Sequence, residues 1–476
     1  MYDVIIIGAG VLGGSIFREL TRYKLKVCVL EKENDVAVGT TKANSAIVHA
    51  GFDPEPGTSI AIHNVIGNEM YESLCKELSV PFKRNGAMVI AFDKTDLEKI
   101  RTLYNNGIKS GIKGIKILNK EEALKMEPNL NSNIVGALYA PTSGIVCPFE
   151  YTIALCENAI ENGGEIKLNK EVVDIKKEND IFIVKTSDEE NIKANYVINA
   201  AGVYADKIHD MICPQTFSIR PRKGEYLVLD KSQGNLFSRT IFQCPSKMGK
   251  GILVTPTVHG NLMIGPSAVD VDDKDDVSTT PEVLEEIKKV ASMTTDKINY
   301  KETIKNFAGL RAISSNNNFI VEENFTVKKF IDVAGMKSPG LTCAPSIALE
   351  VIDILKNAGL ELEKKEKFNN NRKKVRFMDL SADEKNKIIK KDARYGKIVC
   401  RCEQITEGEI VEAIKKSFAT TSVDSVKRRC RPGMGRCQGG FCSPKVMEII
   451  ERECGIHKDK ILLDKKGTWI LRGKVK

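Results

Sequence analysis

The chain of 476 residues carries a formal net charge of +9, with 42% hydrophobic and 28% charged residues. Two or three domains are expected, because a single hydrophobic core rarely serves more than about 250–300 residues. The composition is typical of a soluble globular protein, and no apolar run approaches the roughly 18 residues of a membrane span. Glutamates and aspartates are interspersed among the lysines, so the positive charge does not predict nucleic-acid binding.

The predicted first strand begins at residue 2, which leaves no room for a signal peptide and predicts a cytoplasmic location. In the cytosol the 13 cysteines are not expected to form a disulfide framework. Seven of them are scattered singly in apolar surroundings and are predicted to be small buried side chains. They are Cys28, Cys75, Cys147, Cys156, Cys213, Cys244 and Cys343.

A dinucleotide-binding βαβ unit is predicted at the N-terminus. An apolar strand over 2–7 runs directly into a glycine-rich turn over 8–14, and an amphipathic helix is predicted over 15–23. A second apolar strand over 26–30 ends at Glu31. This order of strand, turn, helix, strand and acid is far more specific than the glycines alone.

Each glycine of the turn has a distinct expected role. Gly8 permits the tight turn, Gly10 lets the backbone approach a pyrophosphate, and Gly13 lets the helix pack closely on the strand. Glu31 is expected to accept a hydrogen bond from a ribose hydroxyl, which argues against a ribose 2′-phosphate. The bound nucleotide is therefore FAD or NAD.

The segment over 39–51 is rich in small and hydroxyl-bearing residues. Such a composition favours a ligand-facing loop over a helix. His49 lies in this loop, one βαβ unit from the nucleotide site, so a functional role is predicted for it. The other candidate ligand-facing residues of the loop are Thr40, Thr41, Asn44 and Ser45.

The middle of the chain alternates between helices and strands. Helices are predicted over 61–78, 94–104 and 151–162, and strands over 86–92, 165–168, 172–176, 181–185 and 194–199. The last of these strands is expected to rejoin the first sheet. Residues 218–265 are strand-rich and predict a β-rich lobe inserted between the nucleotide-binding pieces.

Two features precede the C-terminal region. Arg311 ends the apolar run over 307–311, where a surface cation and a ligand-binding cation are equally expected. A strand is predicted over 330–335, and Pro345 is predicted to open a helix that runs to about residue 355. The loop before that helix would offer backbone N–H groups and a partial positive charge to an electron-rich ring carbonyl.

Residues 364–397 are rich in lysine and asparagine and show little apolar periodicity. We interpret this segment as a solvated linker that carries one short helix. A basic patch facing a membrane is the alternative interpretation, which would place the protein at the inner membrane face.

Four cysteines near the C-terminus form two close pairs, Cys400-x-Cys402 and Cys437-x4-Cys442. Thiolates at this spacing suit a [2Fe–2S] cluster, whereas zinc sites usually show C-x2-C pairs. An iron–sulfur cluster is therefore favoured over zinc and over reduced structural thiols. Cys430 is the spare cysteine that could replace one of the four ligands.

Short helices are predicted to flank these cysteines. Thr406 and Glu409 form a capping box for the first helix, Ser422 caps the second, and Ser443 followed by Pro444 opens the third. The glycines near the last two cysteines leave backbone N–H groups available to donate to sulfur.

Taken together, these features resemble the FAD-dependent oxidoreductases of the D-amino-acid oxidase superfamily, in the branch with glycerol-3-phosphate dehydrogenases and L-2-hydroxyglutarate oxidases. The C-terminal region resembles the bacterioferritin-associated-ferredoxin-like [2Fe–2S] domain. The resemblance to the oxidoreductases covers about residues 2–360 and rests on 8–13, Glu31, 44–51, Val172, 199–202, 307–311 and 338–342.

The resemblance implies an α/β fold, with a Rossmann-like FAD-binding domain, an inserted β-rich substrate lobe and a small helical [2Fe–2S] domain. The implied domains are 1–362 (nucleotide-binding pieces about 1–80, 145–210 and 328–362), a linker over 363–397, the cluster domain over 398–455 and a tail over 456–476. The implied FAD-binding residues are Gly8, Gly10, Gly13, Glu31, Thr40, Thr41, Asn44, Ser45, Val172, Gly202, Gly335, Gly340, Leu341 and Thr342.

The implied activity is oxidation of a small anionic secondary alcohol, with glycerol 3-phosphate to dihydroxyacetone phosphate as the first choice. L-2-hydroxyglutarate or another 2-hydroxy acid, and then an amino acid, are the alternatives. His49 is the candidate base, because imidazole titrates near physiological pH. Arg311 is the candidate clamp for phosphate or carboxylate. Covalent attachment of the flavin is a rival role for His49.

A reduced flavin carries two electrons, whereas a [2Fe–2S] cluster accepts one at a time. The acceptor is therefore predicted to be a partner redox protein or subunit. An electron-transfer subunit without an organic substrate of its own is the alternative from another class. An NADH-dependent reductase is disfavoured, because the sequence shows no second glycine-rich βαβ unit.

Overall fold

The computed structural model describes residues 1–244, 251–416, 418, 421–471 and 473. Residues 472 and 474–476 of the predicted tail lie outside the described residues. The helices are α1 (Val11–Leu20), α2 (Ser59–Glu77), α3 (Lys94–Lys109), α4 (Lys120–Met126), α5 (Pro148–Glu161), α6 (Ala205–His209), α7 (Pro281–Ala291), α8 (Gly340–Asn357), α9 (Ala382–Lys391), α10 (Glu407–Lys416), α11 (Val423–Cys430) and α12 (Ser443–Cys454).

The strands of the first half of the chain are β1 (Tyr2–Ile7), β2 (Val27–Leu30), β3 (Ile47–Val48), β4 (Phe82–Lys83), β5 (Ala87–Ala91), β6 (Lys116–Asn119), β7 (Gly136–Ala140), β8 (Gly144–Val146), β9 (Glu165–Lys167), β10 (Val172–Glu178), β11 (Ile181–Thr186) and β12 (Asn191–Asn199). Those of the second half are β13 (Ile219–Leu229), β14 (Thr240–Gln243), β15 (Leu253–Pro256), β16 (Leu262–Gly265), β17 (Val269–Asp270), β18 (Thr303–Ser314), β19 (Ile320–Glu323), β20 (Phe330–Ala334), β21 (Ile398–Cys400) and β22 (Ile405–Thr406).

The first sheet has eight strands and contains the N-terminal βαβ unit. Its path is β10-β11-β12-β1-β2-β9, and β20 pairs with both β12 and β19. The central strands β1, β2, β12 and β20 run parallel, so their carboxyl ends meet at one edge. The predicted return of β12 to the first sheet is confirmed by its register with β1, in which Ile7 lies beside Asn199.

The inserted lobe is built on a second sheet of nine strands, with the path β17-β13-β16-β15-β14-β5-β7-β6 and β18 beside β13. The long antiparallel pair of β13 and β18 runs from Ile219 beside Ser314 to Leu229 beside Thr303. The predicted α/β architecture with a β-rich lobe is thus confirmed. The seven scattered cysteines are all buried, as predicted.

Two helices begin four or more residues earlier than predicted. Helix α1 begins at Val11, directly after the glycine turn, with Gly10 as its N-cap. Helix α8 begins at Gly340 and contains Pro345, which was wrongly predicted to open it. Proline lacks the N–H that would bond the Leu341 carbonyl four residues earlier. The Tyr71 hydroxyl donates to that carbonyl instead, at 2.5 Å, so the helix continues through the proline.

The segment over 364–397 is largely exposed and contains the predicted short helix as α9, but residues 372–377 pack on the main domain. Arg372 is buried and donates to the Glu157 carboxylate at 2.5 Å and to the Leu78 carbonyl at 3.3 Å. Lys374 and Arg376 both pair with the buried Glu150. These three cations are thus paired with acids of the main domain, which the composition of the segment could not reveal.

The C-terminal domain packs α10, α11 and α12 around a small core of its own, with β21 and β22 at one side. The predicted caps are present: Thr406 and Glu409 exchange hydrogen bonds, and Ser422 caps α11. Within the described part of the chain, no helix is both long and apolar enough to cross a membrane.

Candidate functional site

A cavity of about 870 Å³ lies between the first sheet, the inserted lobe and the C-terminal domain. It runs past the glycine turn, the carboxyl ends of the parallel strands and the N-terminus of α8. Ligands of open α/β sheets bind in this position. The predicted residues that line it are Gly8, Gly10, Glu31, Thr40, Thr41, Asn44, Ser45, His49, Val172, Gly202, Arg311, Gly340 and Leu341.

The glycine turn is packed too tightly for any side chain. Gly8 has φ +102°, and a Cβ there would lie 2.6 Å from the Ala200 carbonyl oxygen. A Cβ on Gly13 would lie 1.9 Å from the Gly8 carbonyl oxygen. The turn therefore brings the N-terminus of α1 directly to the cavity, where its N–H groups and partial positive charge suit a pyrophosphate.

Glu31 follows β2 and points back over the turn. Its carboxylate accepts hydrogen bonds from the backbone N–H groups of Ala9 at 2.8 Å and Glu33 at 3.0 Å. Burial raises the pKa of Glu31 to about 7, and these two N–H groups act in the opposite direction. A carboxylate has about four acceptor positions, so it can still receive ribose hydroxyls.

The loop after Glu31 is held over the cavity by its own side chains and by β18. The Thr41 hydroxyl accepts a hydrogen bond from the Val11 N–H at 3.0 Å, and the Thr40 hydroxyl donates to the Leu310 carbonyl at 2.7 Å. Asn44 donates to the carbonyls of Thr40 and Thr41 at 3.3 and 2.9 Å. The loop predicted from composition is thus a fixed wall of the cavity.

His49 and Arg311 come from distant parts of the chain and meet at the same cavity. The His49 Nε2 lies 3.3 Å from the Ser338 hydroxyl, and its ring lies beside Phe242 at a centroid distance of 6.0 Å. Arg311 donates to the Ser267 carbonyl at 3.0 Å, and a Cβ on Gly224 would lie 2.5 Å from its Nη2. Gly224 therefore leaves the space that the guanidinium occupies.

Three residues predicted to bind FAD lie behind the cavity wall. Gly13 packs α1 on β1, and Gly335 has φ +73° with the Asn318 carbonyl oxygen 2.7 Å from where a Cβ would lie. The buried Thr342 hydroxyl accepts a hydrogen bond from the His49 backbone N–H at 2.9 Å. These residues shape the wall, and Thr342 fixes the backbone that carries His49.

The four predicted cluster ligands come together in the C-terminal domain. The sulfurs of Cys402 and Cys437 lie 3.7 Å apart. The Cys442 thiol donates to Cys400, and this hydrogen bond lowers the pKa of Cys400 to about 6. Burial raises the pKa of Cys437, but the N–H groups of Phe441 and Gly439 outweigh it and the pKa lies below its usual value.

This donor set fits a [2Fe–2S] cluster, because thiolate ligands are stabilised by N–H groups directed at sulfur. A Cβ on Gly435 would lie 2.4 Å from the Cys402 Cβ, so this glycine permits the close approach of the two cysteine loops. The spare cysteine points elsewhere: Cys430 is buried, and its thiol donates to the Val426 carbonyl one turn earlier in α11.

The C-terminal domain supplies part of the cavity wall, which sequence reasoning missed. The residues concerned are Asp424, Lys427, Arg428, Arg431, Met434, Gln438, Asp464 and Lys465. Met434 and Gln438 belong to the loop between Cys430 and Cys442. Contacts between segments hundreds of residues apart leave no local pattern in the sequence, so no signal for this wall was available.

A buried polar group lies beside the cavity and contains residues from the main domain and from the inserted lobe. Cys147, Glu150 and His259 place a sulfur, a carboxylate oxygen and a ring nitrogen within 4.8 Å of one another. Burial and the nearby Arg431 lower the pKa of His259 to about 4, although Glu150 opposes them. Because Lys374 and Arg376 already pair with Glu150, we interpret the group as an ion-pair network.

The fold and the cavity define a dinucleotide-dependent oxidoreductase that carries an iron–sulfur domain. The family model "FAD dependent oxidoreductase" matches residues 3–354, and "BFD-like [2Fe-2S] binding domain" matches residues 398–452. The chain therefore belongs to the FAD-dependent oxidoreductase family, and FAD and a [2Fe–2S] cluster are its cofactors.

The relatives of this chain differ in the share of the chain that they cover. Glycerol 3-phosphate dehydrogenase of Caloramator mitchellensis is 54% identical over 477 residues, covering 100% of this chain and 99% of that protein. Glycerol 3-phosphate oxidase of Mycoplasma genitalium is 34% identical, covering 78% of this chain and 97% of that protein. L-alpha-glycerophosphate oxidase from Mycoplasma pneumoniae, solved with FAD bound, superposes with a TM-score of 0.75 at 33% identity, covering 78% and 98%.

Proposed function

We propose that this protein oxidises glycerol 3-phosphate to dihydroxyacetone phosphate and passes the electrons through its [2Fe–2S] cluster to a partner acceptor. The observation that carries the proposal is the 54% identity to a glycerol 3-phosphate dehydrogenase over the whole chain, cluster domain included. The relatives named as oxidases cover only 77–78% of this chain, although 97% of their own length is matched. This division supports a dehydrogenase whose electrons leave through the cluster.

Bound FAD supplies the two-electron acceptor for the reaction. His49 takes the proton from the substrate hydroxyl, since its ring nitrogen faces the cavity beside Ser338. The backbone of His49 is held in place, because its carbonyl accepts hydrogen bonds from Asn64 at 2.8 Å and Asn68 at 2.9 Å. This support holds the base in one position, which is what proton transfer in the transition state requires.

Arg311 binds the phosphate of the substrate. Its planar fork can donate two parallel hydrogen bonds to an anion, and its contact with the Ser267 carbonyl orients the fork. The FAD itself is held by the glycine turn, Glu31, the loop over 40–45, Val172, Gly202 and the start of α8. Cys400, Cys402, Cys437 and Cys442 hold the cluster, which supplies one-electron transfer when bound.

A 2-hydroxy acid such as L-2-hydroxyglutarate is the second candidate substrate. The specific observation in its favour is that the anion clamp is an arginine, whose fork binds a carboxylate as readily as a phosphate. A subunit without an organic substrate is the remaining alternative, and the shared position of His49 and Arg311 on one cavity argues against it.

Anaerobic bleaching of the flavin absorbance tests the substrate. The holoenzyme is mixed with glycerol 3-phosphate, L-2-hydroxyglutarate and an amino acid in turn, and glycerol 3-phosphate is expected to bleach the flavin fastest. His49→Gln should lower kcat by about 10²–10⁴-fold. Arg311→Lys, which keeps the charge but loses the fork, should mainly raise KM. Absence of bleaching by all three compounds would refute the proposal.

The electron route is tested with Cys437→Ser. This variant should lose the visible absorbance of the cluster and fail to pass electrons to a protein acceptor, while glycerol 3-phosphate still bleaches its flavin. Normal electron delivery by the variant would show that the C-terminal domain is structural. Acid precipitation separately tests the rival role of His49, because covalently bound flavin would stay in the pellet.

A further inference from the structure

The loops that carry the cluster cysteines have exposed side chains as well as Met434 and Gln438, which line the cavity. Cys402 is exposed, whereas Cys400 and Cys442 are buried. Phe441, directly before Cys442, is 85% exposed, which is far from the usual burial of a phenylalanine. An exposed aromatic side chain beside a redox centre is typical of a binding surface.

Three of the exposed side chains beside the cluster cysteines are positively charged. Arg401 lies between the first two cysteines, Arg436 directly precedes Cys437, and Lys445 lies in the first turn of α12; all three are exposed. The side chain of Arg436 remains 65% exposed although it pairs with Glu302 at 3.1 Å.

Two acidic side chains near these loops are paired with cations. Glu403 is 4% exposed and pairs with Arg431 at 2.9 Å and with Lys231 at 3.0 Å. On α12, Glu448 lies 3.8 Å from Lys458. The face around the cluster therefore presents an excess of positive charge with an apolar centre.

We propose that Arg401, Cys402, Arg436, Phe441 and Lys445 form the docking surface for a small acidic one-electron carrier protein. The proposal rests on the relay role proposed above and names the chemistry of its acceptor. Complementary charge steers association and raises its rate by about 10–10³-fold, and the apolar centre excludes water from the contact. The carrier would thus meet the cluster at its exposed ligand, Cys402.

The electron balance fits such a partner. Each substrate molecule loses two electrons and two protons when its alcohol becomes a ketone. Two oxidised carrier molecules accept one electron each in successive encounters, and the two protons pass to solvent. A transient contact is required, because the first carrier must leave before the second can bind.

The test uses two haem proteins of opposite charge, acidic cytochrome b5 and basic cytochrome c, as acceptors for the holoenzyme with glycerol 3-phosphate. Reduction of cytochrome b5 should be faster and should fall at least tenfold as ionic strength rises from about 0.01 to 0.15 M, because the Debye length shortens from about 30 to 8 Å. Arg401→Glu and Lys445→Glu should each lower that rate at least fivefold, and Phe441→Ala should lower it at low and high salt alike.

Lys109→Glu, an exposed charge reversal at the end of α3, is the matched control and should leave the rate unchanged. Every variant should keep the cluster absorbance and normal reduction of a small dye. Unchanged cytochrome b5 reduction in Arg401→Glu and Lys445→Glu, or a preference for cytochrome c, would overturn the docking surface. Failure of the relay itself would look different, because the substrate would then not reduce the cluster in the unmodified protein.

Discussion

Asp35 joins the FAD domain to the C-terminal domain, and its replacement by asparagine gives a quantitative prediction. Its fully buried carboxylate accepts hydrogen bonds from Arg428 at 2.9 Å and from Arg429 at 2.8 and 2.9 Å. Burial alone would raise the pKa of Asp35, but the two guanidinium groups outweigh it and lower the pKa. Arg428 also binds Asp464, which in turn pairs with Lys42 of the cavity loop.

Asp35→Asn keeps the size of the side chain but leaves two buried cations without their main counter-charge. Breaking a buried ion pair from one side costs about 3–5 kcal/mol. The equilibrium between the docked and undocked C-terminal domain should therefore shift by a factor of roughly 10² to 4 × 10³. Because residues 33 and 38–46 line the cavity, we expect faster release of FAD as well as a lower unfolding midpoint.

Release of FAD is followed by the rise of free flavin fluorescence after dilution, and unfolding by thermal denaturation. Asp180→Asn is the matched control, since it removes an acid from exposed ion pairs with Lys177 and Lys329, which lie away from the cavity and contribute little to stability. If Asp35→Asn retained FAD and unfolded as the control does, the C-terminal domain would not hold the cavity loop and the reasoning would be refuted.

Three further predictions concern single residues. Tyr71→Phe leaves the buried Leu341 carbonyl without its donor and should lower the free energy of unfolding by about 1–3 kcal/mol in denaturant titration; an unchanged midpoint would contradict this account of α8. Gly309→Ala would place a Cβ 1.9 Å from the Ala43 carbonyl oxygen, so the purified protein should contain less FAD per chain than Gly396→Ala, where a Cβ would lie no closer than 3.5 Å to its neighbours. For Glu31, the raised pKa of about 7 favours the protonated folded state. The stabilisation of the folded state by the protonated Glu31 side chain is fully present below pH 4.5 and is lost as the pH rises through 7. The FAD-free protein should therefore lose up to about 3 kcal/mol between pH 5 and 8 relative to Glu31→Gln, and equal pH profiles for the two proteins would contradict the assignment.

Local patterns in the sequence were sufficient to predict those features that depend on interactions between neighbouring residues. The glycine turn, the acid after β2 and the caps of the C-terminal helices depend on residues close together in the chain, and each was found where it was predicted. The two cysteine pairs likewise indicated a cluster, because ligand type and spacing are properties of a short segment. Composition alone identified the loop over 39–51 as a ligand-facing element.

The start of α8 could not be read from its own residues. Proline predicts a helix start because it lacks an N–H, and only the packing of α2 brings the Tyr71 hydroxyl to the carbonyl that this leaves unbonded. The packing of residues 372–377 on the main domain was missed for a related reason. The composition of the segment over 364–397 is typical of a solvated linker. Only the tertiary structure places Glu150 and Glu157 beside three of its cations.

The sequence by itself thus determined the family features, the nucleotide-binding turn and the candidate ligands of the cluster. Tertiary structure alone decided that His49 and Arg311 share one cavity and that the cluster loop forms part of its wall. It also decided that Asp35 holds the two domains together. The physical reason is that these contacts join residues separated by hundreds of positions, and such contacts are selected by the packing of whole elements, which no local pattern records.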